Sequence, residues 1–285
     1  MKLQNERYEV TFDLKGGEIA SFLDKETNIQ YMWQGDANYW TGKNPSLFPL
    51  VGNVYTKEYQ IDGKTYSMKN HGLIRYATLK LKSQSENELV MELDSDEETL
   101  KQYPFAFHYE IAYKLVDNLL TITYNITNKS DVDMPFTFGL HPGFNCPLCE
   151  GETFEDYKVV FACEENVDQI VYDMKEPYTT QKVSFKEWNC NYEDLKKYDT
   201  IIYKDCVSPY VTLVGTKGHG VEMSIAGYPY FAMWNIKSGS PYLCLEPWYG
   251  HADFSAVDVA FADREGMLSL SPNKTFTTSY TIKVF

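Results

Sequence analysis

Three short stretches hold the side chains best suited to chemistry. "TFGLHPGFNCPL" places His141 two residues after Gly139 and directly before Pro142. "KNHGLIRY" sets His71 against Gly72, with Arg75 four positions on, and "YLCLEPWYG" ends an apolar run on Glu246. A chain with five histidines that sets two beside backbone-restricting or backbone-freeing residues is aiming those rings. A carboxylate at the end of an apolar run is partly buried, which raises its pKa toward the range where a general base works. Imidazole is the natural proton donor opposite it. These types therefore point to paired acid/base catalysis. The plainer alternatives are histidines satisfied at strand ends and a buried ion pair at Glu246.

The remaining candidates sort less sharply. His108, mid-strand in "FAFHYEIAY", and His219, in the glycine turn "TKGHGVEM", read as structural. His251 follows "EPWYG" closely enough to be a candidate for substrate binding. Trp248, Trp234, Phe48 and Phe144 are candidates for stacking on the C–H face of a pyranose, with Trp248 preferred. Cys146 and Cys149 form a CxxC with no second ligand pair, so the reading is structural, with no metal. The acids of "DSDEET" are a solvated helix start. No phosphate-binding loop, dinucleotide fingerprint, HExxH or serine elbow is present, which argues against phosphoryl transfer, hydride transfer and serine hydrolysis.

The elements that must position these side chains are strands. Period-two alternation recurs along the 285 residues: Ile122, Tyr124 and Ile126 share one face while Thr121, Thr123, Asn125 and Thr127 share the other. Leu79 and Leu81, then Leu89, Met91 and Leu93, alternate likewise, and "TFTTSYTIKVF" alternates and closes a sheet. Asp62-Gly63 and Asp117-Asn118 are hairpin turns. Helices are few: a capping box from Ser95 to Glu98 opens one that Pro104 ends, and "FKEWNCNYEDLKKY" supplies a further turn or two. Segments 40–53 and 148–154 read as loops. With no linker or repeat, residues 1–285 are expected to form one all-β domain of two large packed antiparallel sheets. A net charge of −14 argues against nucleic acid and anionic membrane partners. The amino terminus lacks a signal-peptide core, and six sparse cysteines suggest reduced thiols, so the expected compartment is the cytoplasm.

In order, "FPLVGN", "NHGLIR", "FGLHPGFN", "YDTIIY" and "LCLEPWYG" resemble the aldose 1-epimerase (galactose mutarotase) family, most closely its bacterial branch related to a protein of lactose operons. The resemblance implies a galactose-mutarotase-like β-supersandwich with few short helices and a carbohydrate cleft on one sheet. It puts the general acid on His141, the general base on ionised Glu246, and a ring-oxygen contact on His71. Arg75 matches an arginine set against sugar hydroxyls or a phosphate, and Asp199 matches a hydroxyl-binding aspartate. Asn53, where other members carry a basic residue, joins Arg75, Asp199, Trp248 and His251 as a substrate-binding candidate. The chain departs from many members in reading Pro247-Trp248-Tyr249-Gly250 after the glutamate, which leaves the sugar open. The implied activity is cofactor-free interconversion of the α and β anomers of an aldohexose by a monomer or homodimer. The alternatives are a hexose-6-phosphate mutarotase, with Arg75 and Lys43 or Lys57 on the phosphate, and a non-catalytic carbohydrate-binding protein or sensor.

Overall fold

The structure is a computed structural model and describes residues 1–285. Its organising unit is the hairpin of Phe107–Val116 and Leu119–Asn128, closed by the predicted turn with Asp117 at φ 51°. Ile122, Tyr124 and Ile126 are buried and the intervening polar residues only half so, as a strand with one wet face requires. Glu88–Asp94 pairs with one side of this hairpin and Thr275–Val284 with the other. The carboxy-terminal strand therefore lies inside the sheet, pairing also with Gly220–Ser224, and does not form an edge.

One hydrogen-bonded sheet of 15 strands runs from Ser46–Leu47 to Lys80–Gln84, and a separate sheet of four strands uses the first 30 residues. The expected pair of sheets is thus one long sheet folded back on itself. Its first strand faces its far end: Tyr109 Oη donates to Ser46 Oγ at 2.6 Å, and the Phe48 ring meets Phe107 at 5.1 Å and Tyr109 at 5.6 Å. Apart from two smaller buried clusters of 8 and 4 residues, a core of 60 buried residues, from Leu3 to Val284, fills the space between. Aromatic side chains dominate it, which accounts for most of the high tyrosine and phenylalanine content.

Local expectations fail where several polar residues compete. The helix Glu97–Gln102 is capped one residue later than expected: Asp96 Oδ1 accepts from Thr99 N at 2.8 Å, and Thr99 Oγ1 accepts from Asp96 N at 2.7 Å. Ser95 instead accepts from Phe107 N. In "FKEWNCNYEDLKKY" the first half is strand, ending the run Thr179–Asn189, and only Tyr192–Tyr198 is helical. Leu81 is 46% exposed, because Lys80–Gln84 is an edge strand bulged between Leu81 and Ser83.

The strand that matters for chemistry is Tyr242–Trp248, buried along its whole length. Tyr230–Trp234 flanks it on one side, and two short strands, Gly139–Leu140 and Gly143–Asn145, flank it on the other. Gly139 pairs with Trp248 and Gly143 with Cys244 in the same register, which sets His141 opposite Glu246. Pro142 lacks an N–H, breaks the ladder there, and still accepts from Leu245 N at 3.1 Å.

Candidate active site

His141 and Glu246 face each other with Nδ1 and Oε1 3.4 Å apart, and the two residues are only 5% and 1% exposed. No hydrogen bond reaches His141 Nδ1 or the indole N–H of Trp248. Buried polar atoms are nearly always paired in folded proteins, so a ligand is the natural partner. Aromatic walls fix the imidazole: Trp40 stacks on it at 4.7 Å and 25°, Trp234 meets it edge-on at 5.3 Å, and His71 does so at 5.5 Å. Burial holds the Glu246 carboxyl well above the usual range, against the opposing charge of Arg75. Burial, reinforced by His71 and Arg75, holds His141 well below its usual value. Both shifts have one cause, the removal of water from a charged form.

Trp40 stays over the imidazole because its loop is tied down from both sides. Lys43 N and Asn44 N donate to the Glu18 carboxylate at 2.7 and 2.8 Å. The carbonyls of Lys43 and Pro45 then accept from Gly143 N and His141 N, at 2.8 and 3.1 Å.

His71 is set by a different device. Its backbone is left-handed, at φ 67°, followed by Gly72 at φ 77°. His71 N donates to Gly52 O at 2.8 Å, and Gly52 N donates back to His71 Nδ1 at 3.0 Å. The acceptor role of Nδ1 puts the ring proton on Nε2. Burial and Arg75 lower the pKa to about 3, so the ring is neutral at physiological pH. A Cβ at position 72 would lie 2.3 Å from Phe48 O, so only glycine fits there.

These groups line a cavity of about 530 Å³, within the roughly 300–1,000 Å³ usual for small-molecule sites. His71, His141 and Glu246 come together with Arg75, Asp199, Trp248 and Asn53 on its walls. Asp199 stands at the carboxy-terminal end of the helix Tyr192–Tyr198, 3.4 Å from the Tyr172 hydroxyl that donates to it. His251 does not line the cavity. Its ring stacks behind Phe254, its Nδ1 lies 2.7 Å from Ala252 O, and its Nε2 lies 3.5 Å from Glu265. Of the other stacking candidates, Trp234 lines the cavity, while Phe48 and Phe144 are fully buried in the core. Lys57 lines the cavity, whereas Lys43 pairs with Asp13 at 2.6 Å. His108 binds Asp94, and His219 lies 3.3 Å from the carbonyl of Phe285. Trp40, Asn70, Thr200 and Phe254 are lining residues that sequence reasoning passed over. Trp40 alone carried a signal, as an aromatic between Gly35 and Gly42 just ahead of "FPLVGN".

The all-β fold with a polar, aromatic-walled cavity agrees with what the chain is similar to. The family described as Aldose 1-epimerase matches residues 1–283, and the chain belongs to that family. It is 28% identical over 300 residues to the protein LacX of Lactococcus lactis subsp. lactis, covering 100% of this chain and 99% of the relative. A galactose mutarotase-like protein from Lactobacillus casei superposes with a TM-score of 0.92 at 23% identity, covering 100% and 99% of the two chains. A galactose mutarotase related enzyme from Lactobacillus acidophilus gives 0.90 at 29% identity, covering 100% and 97%. The fold is therefore the galactose-mutarotase-like one. No helix is long and apolar enough to cross a membrane.

Replacing Gly72 by alanine tests the mounting of His71. The left-handed backbone alone costs a non-glycine residue roughly 1–2 kcal/mol, and the contact with Phe48 O adds to it. The urea midpoint of Gly72→Ala should fall accordingly; an unchanged midpoint would show that the 71–72 turn does not carry this constraint.

Proposed function

We propose that the chain is an aldose 1-epimerase that interconverts the α and β anomers of an aldohexose through the open-chain aldehyde. The observation that carries this reading is the buried His141–Glu246 pair at 3.4 Å on the wall of a cavity large enough for a sugar. Epimerisation at C1 needs the O1 proton removed and the ring O5 protonated. Closure on the other aldehyde face, after rotation about C1–C2, reverses both transfers. Glu246 is the proposed base on O1 and His141 the proposed acid on O5. His71, neutral with its proton on Nε2, donates to the sugar, and Arg75, Asp199 and Asn53 orient its hydroxyls. The C1–O5 bond breaks as the proton leaves O1 and the ring oxygen gains one, and it re-forms on closure with both proton transfers reversed, so the reaction involves no change of oxidation state; the reading takes residues 1–285 as one domain. The walls formed by Trp40, Trp234 and Trp248 support it, since they suit the C–H face of a pyranose and keep the pair dry.

Burial refines the starting state. With both charged forms disfavoured, the pair holds one proton between its members, and that proton resides on Glu246. The expected resting carboxylate is therefore a carboxylic acid until sugar hydroxyls solvate the site and the proton passes to His141. A second reading, a phosphorylated aldose as substrate, is favoured by Arg75 and Lys57 lining the same cavity.

Two measurements test the acid/base pair. A positioned proton-transfer group contributes about 10²- to 10⁴-fold, so Glu246→Gln should lose that much anomer exchange by polarimetry and keep its fold. Exchange at the wild-type rate would remove Glu246 from the mechanism. The pH profile of turnover should be a broad bell spanning neutrality. The depressed His141 pKa puts uptake of a second proton at low pH, and the raised Glu246 pKa delays loss of the last proton to high pH. A profile that falls as pH drops from 8 to 6 would contradict a pair sharing one proton.

A further inference from the structure

The mechanism leaves one buried nucleophile beside the pair unexplained. Cys244 lies two residues before Glu246 on the same strand, so both side chains point to the same face. It is fully buried, and it clusters with Trp33, Trp40 and Tyr242 behind the cavity wall. One ligand atom each from His141, Cys244 and Glu246 lies within 4.8 Å of the other two. The His141 Nδ1 that faces Glu246 is buried and has no hydrogen-bond partner.

We propose that His141, Cys244 and Glu246 form a three-ligand site for a thiophilic divalent cation of the zinc class, which enters through the sugar cavity and blocks the acid/base pair. The claim of blockage rests on the epimerase reading; the claim of binding does not. Tetrahedral zinc with bonds of about 2.0–2.3 Å sets its ligands roughly 3.3–3.8 Å apart. The imidazole and carboxylate are already at 3.4 Å. The sulfur needs to close by at most roughly 1.3 Å from the 4.8 Å limit. An imidazole, a thiolate and a carboxylate are the donor types zinc takes, and three of them leave a fourth position open. Here that position faces the cavity, since His141 and Glu246 both line it. Arg75 acts electrostatically on all three groups and opposes a cation. The charges left by the thiolate and carboxylate match those of the metal. The other acidic-histidine cluster, Glu92, His108 and Glu110, is half-buried and already held by Lys82 and Asp94. It serves as the control.

The test uses the whole chain in a non-chelating buffer. Zn²⁺ should inhibit anomer exchange reversibly, with recovery on adding a chelator. Cys244→Ser should keep the metal-free rate close to wild type and need at least on the order of 10- to 100-fold more Zn²⁺ for the same inhibition, the loss that changing a residue supporting a ligand already causes, while His108→Ala should behave as wild type. Co²⁺ should give a thiolate-to-cobalt charge-transfer band in wild type and His108→Ala that is absent in Cys244→Ser. Equal inhibition of wild type and Cys244→Ser, or a cobalt spectrum without the sulfur band, overturns the proposal. Should Cys244→Ser not fold, His141→Ala carries the spectroscopic test, and a band that persists in it overturns the site. If no aldose is turned over, the cobalt titration still decides binding, so failure of the epimerase reading is distinguishable from failure of the site.

Discussion

Everything in this cavity depends on two ionisable side chains held face to face with almost none of their surface exposed. A buried polar atom left unpaired costs about 1–3 kcal/mol, and His141 Nδ1 and Trp248 Nε1 are both left so. The fold tolerates this because the strand beneath them is fixed by neighbours on both sides. A ligand presenting several hydroxyls would satisfy both atoms at once. The 3.4 Å separation keeps a proton within reach of carboxylate and imidazole alike.

Precision around the pair comes from backbone exceptions. The register shared by the pairs 139/248 and 143/244 sets His141 opposite Glu246, and Pro142 interrupts the backbone ladder beside it. The left-handed pair at 71 and 72 lets His71 and Gly52 exchange two hydrogen bonds, which also sets the tautomer. Glu18, far away in sequence and half-buried, gathers the amides of Lys43 and Asn44 and so holds Trp40 over the imidazole. Each device joins segments remote along the chain, and this is how residues 40–53, expected as a loop but holding the short strand Ser46–Leu47, come to line a rigid wall.

This explains what the sequence could and could not disclose. Alternation in 119–128 and the turns at Asp62-Gly63 and Asp117-Asn118 are local physics, and the strands and hairpins follow from them. The placing of Thr275–Val284 inside the sheet and the return of the sheet onto itself are long-range pairings that no local pattern encodes. The helix cap slipped from Ser95 to Asp96 because adjacent residues can both cap. His141 and Glu246 were legible because proline and an apolar run mark them. The roles of His71 and Asp199 came from family resemblance rather than from residue chemistry. His251 is close in sequence to Trp248 yet turns to Glu265, a choice of partner invisible before folding. Trp40 acquires its place only through Glu18.

The central claim is that this pair transfers protons to and from a sugar. Magnetisation-transfer NMR across a panel of free and 6-phosphorylated aldoses tests it most directly. The account predicts that saturating one anomeric C1 proton diminishes the other for at least one aldose, at a rate proportional to protein concentration. Transfer no faster than in buffer for every sugar, above all for one that demonstrably binds, would contradict it and leave a carbohydrate-binding protein in its place.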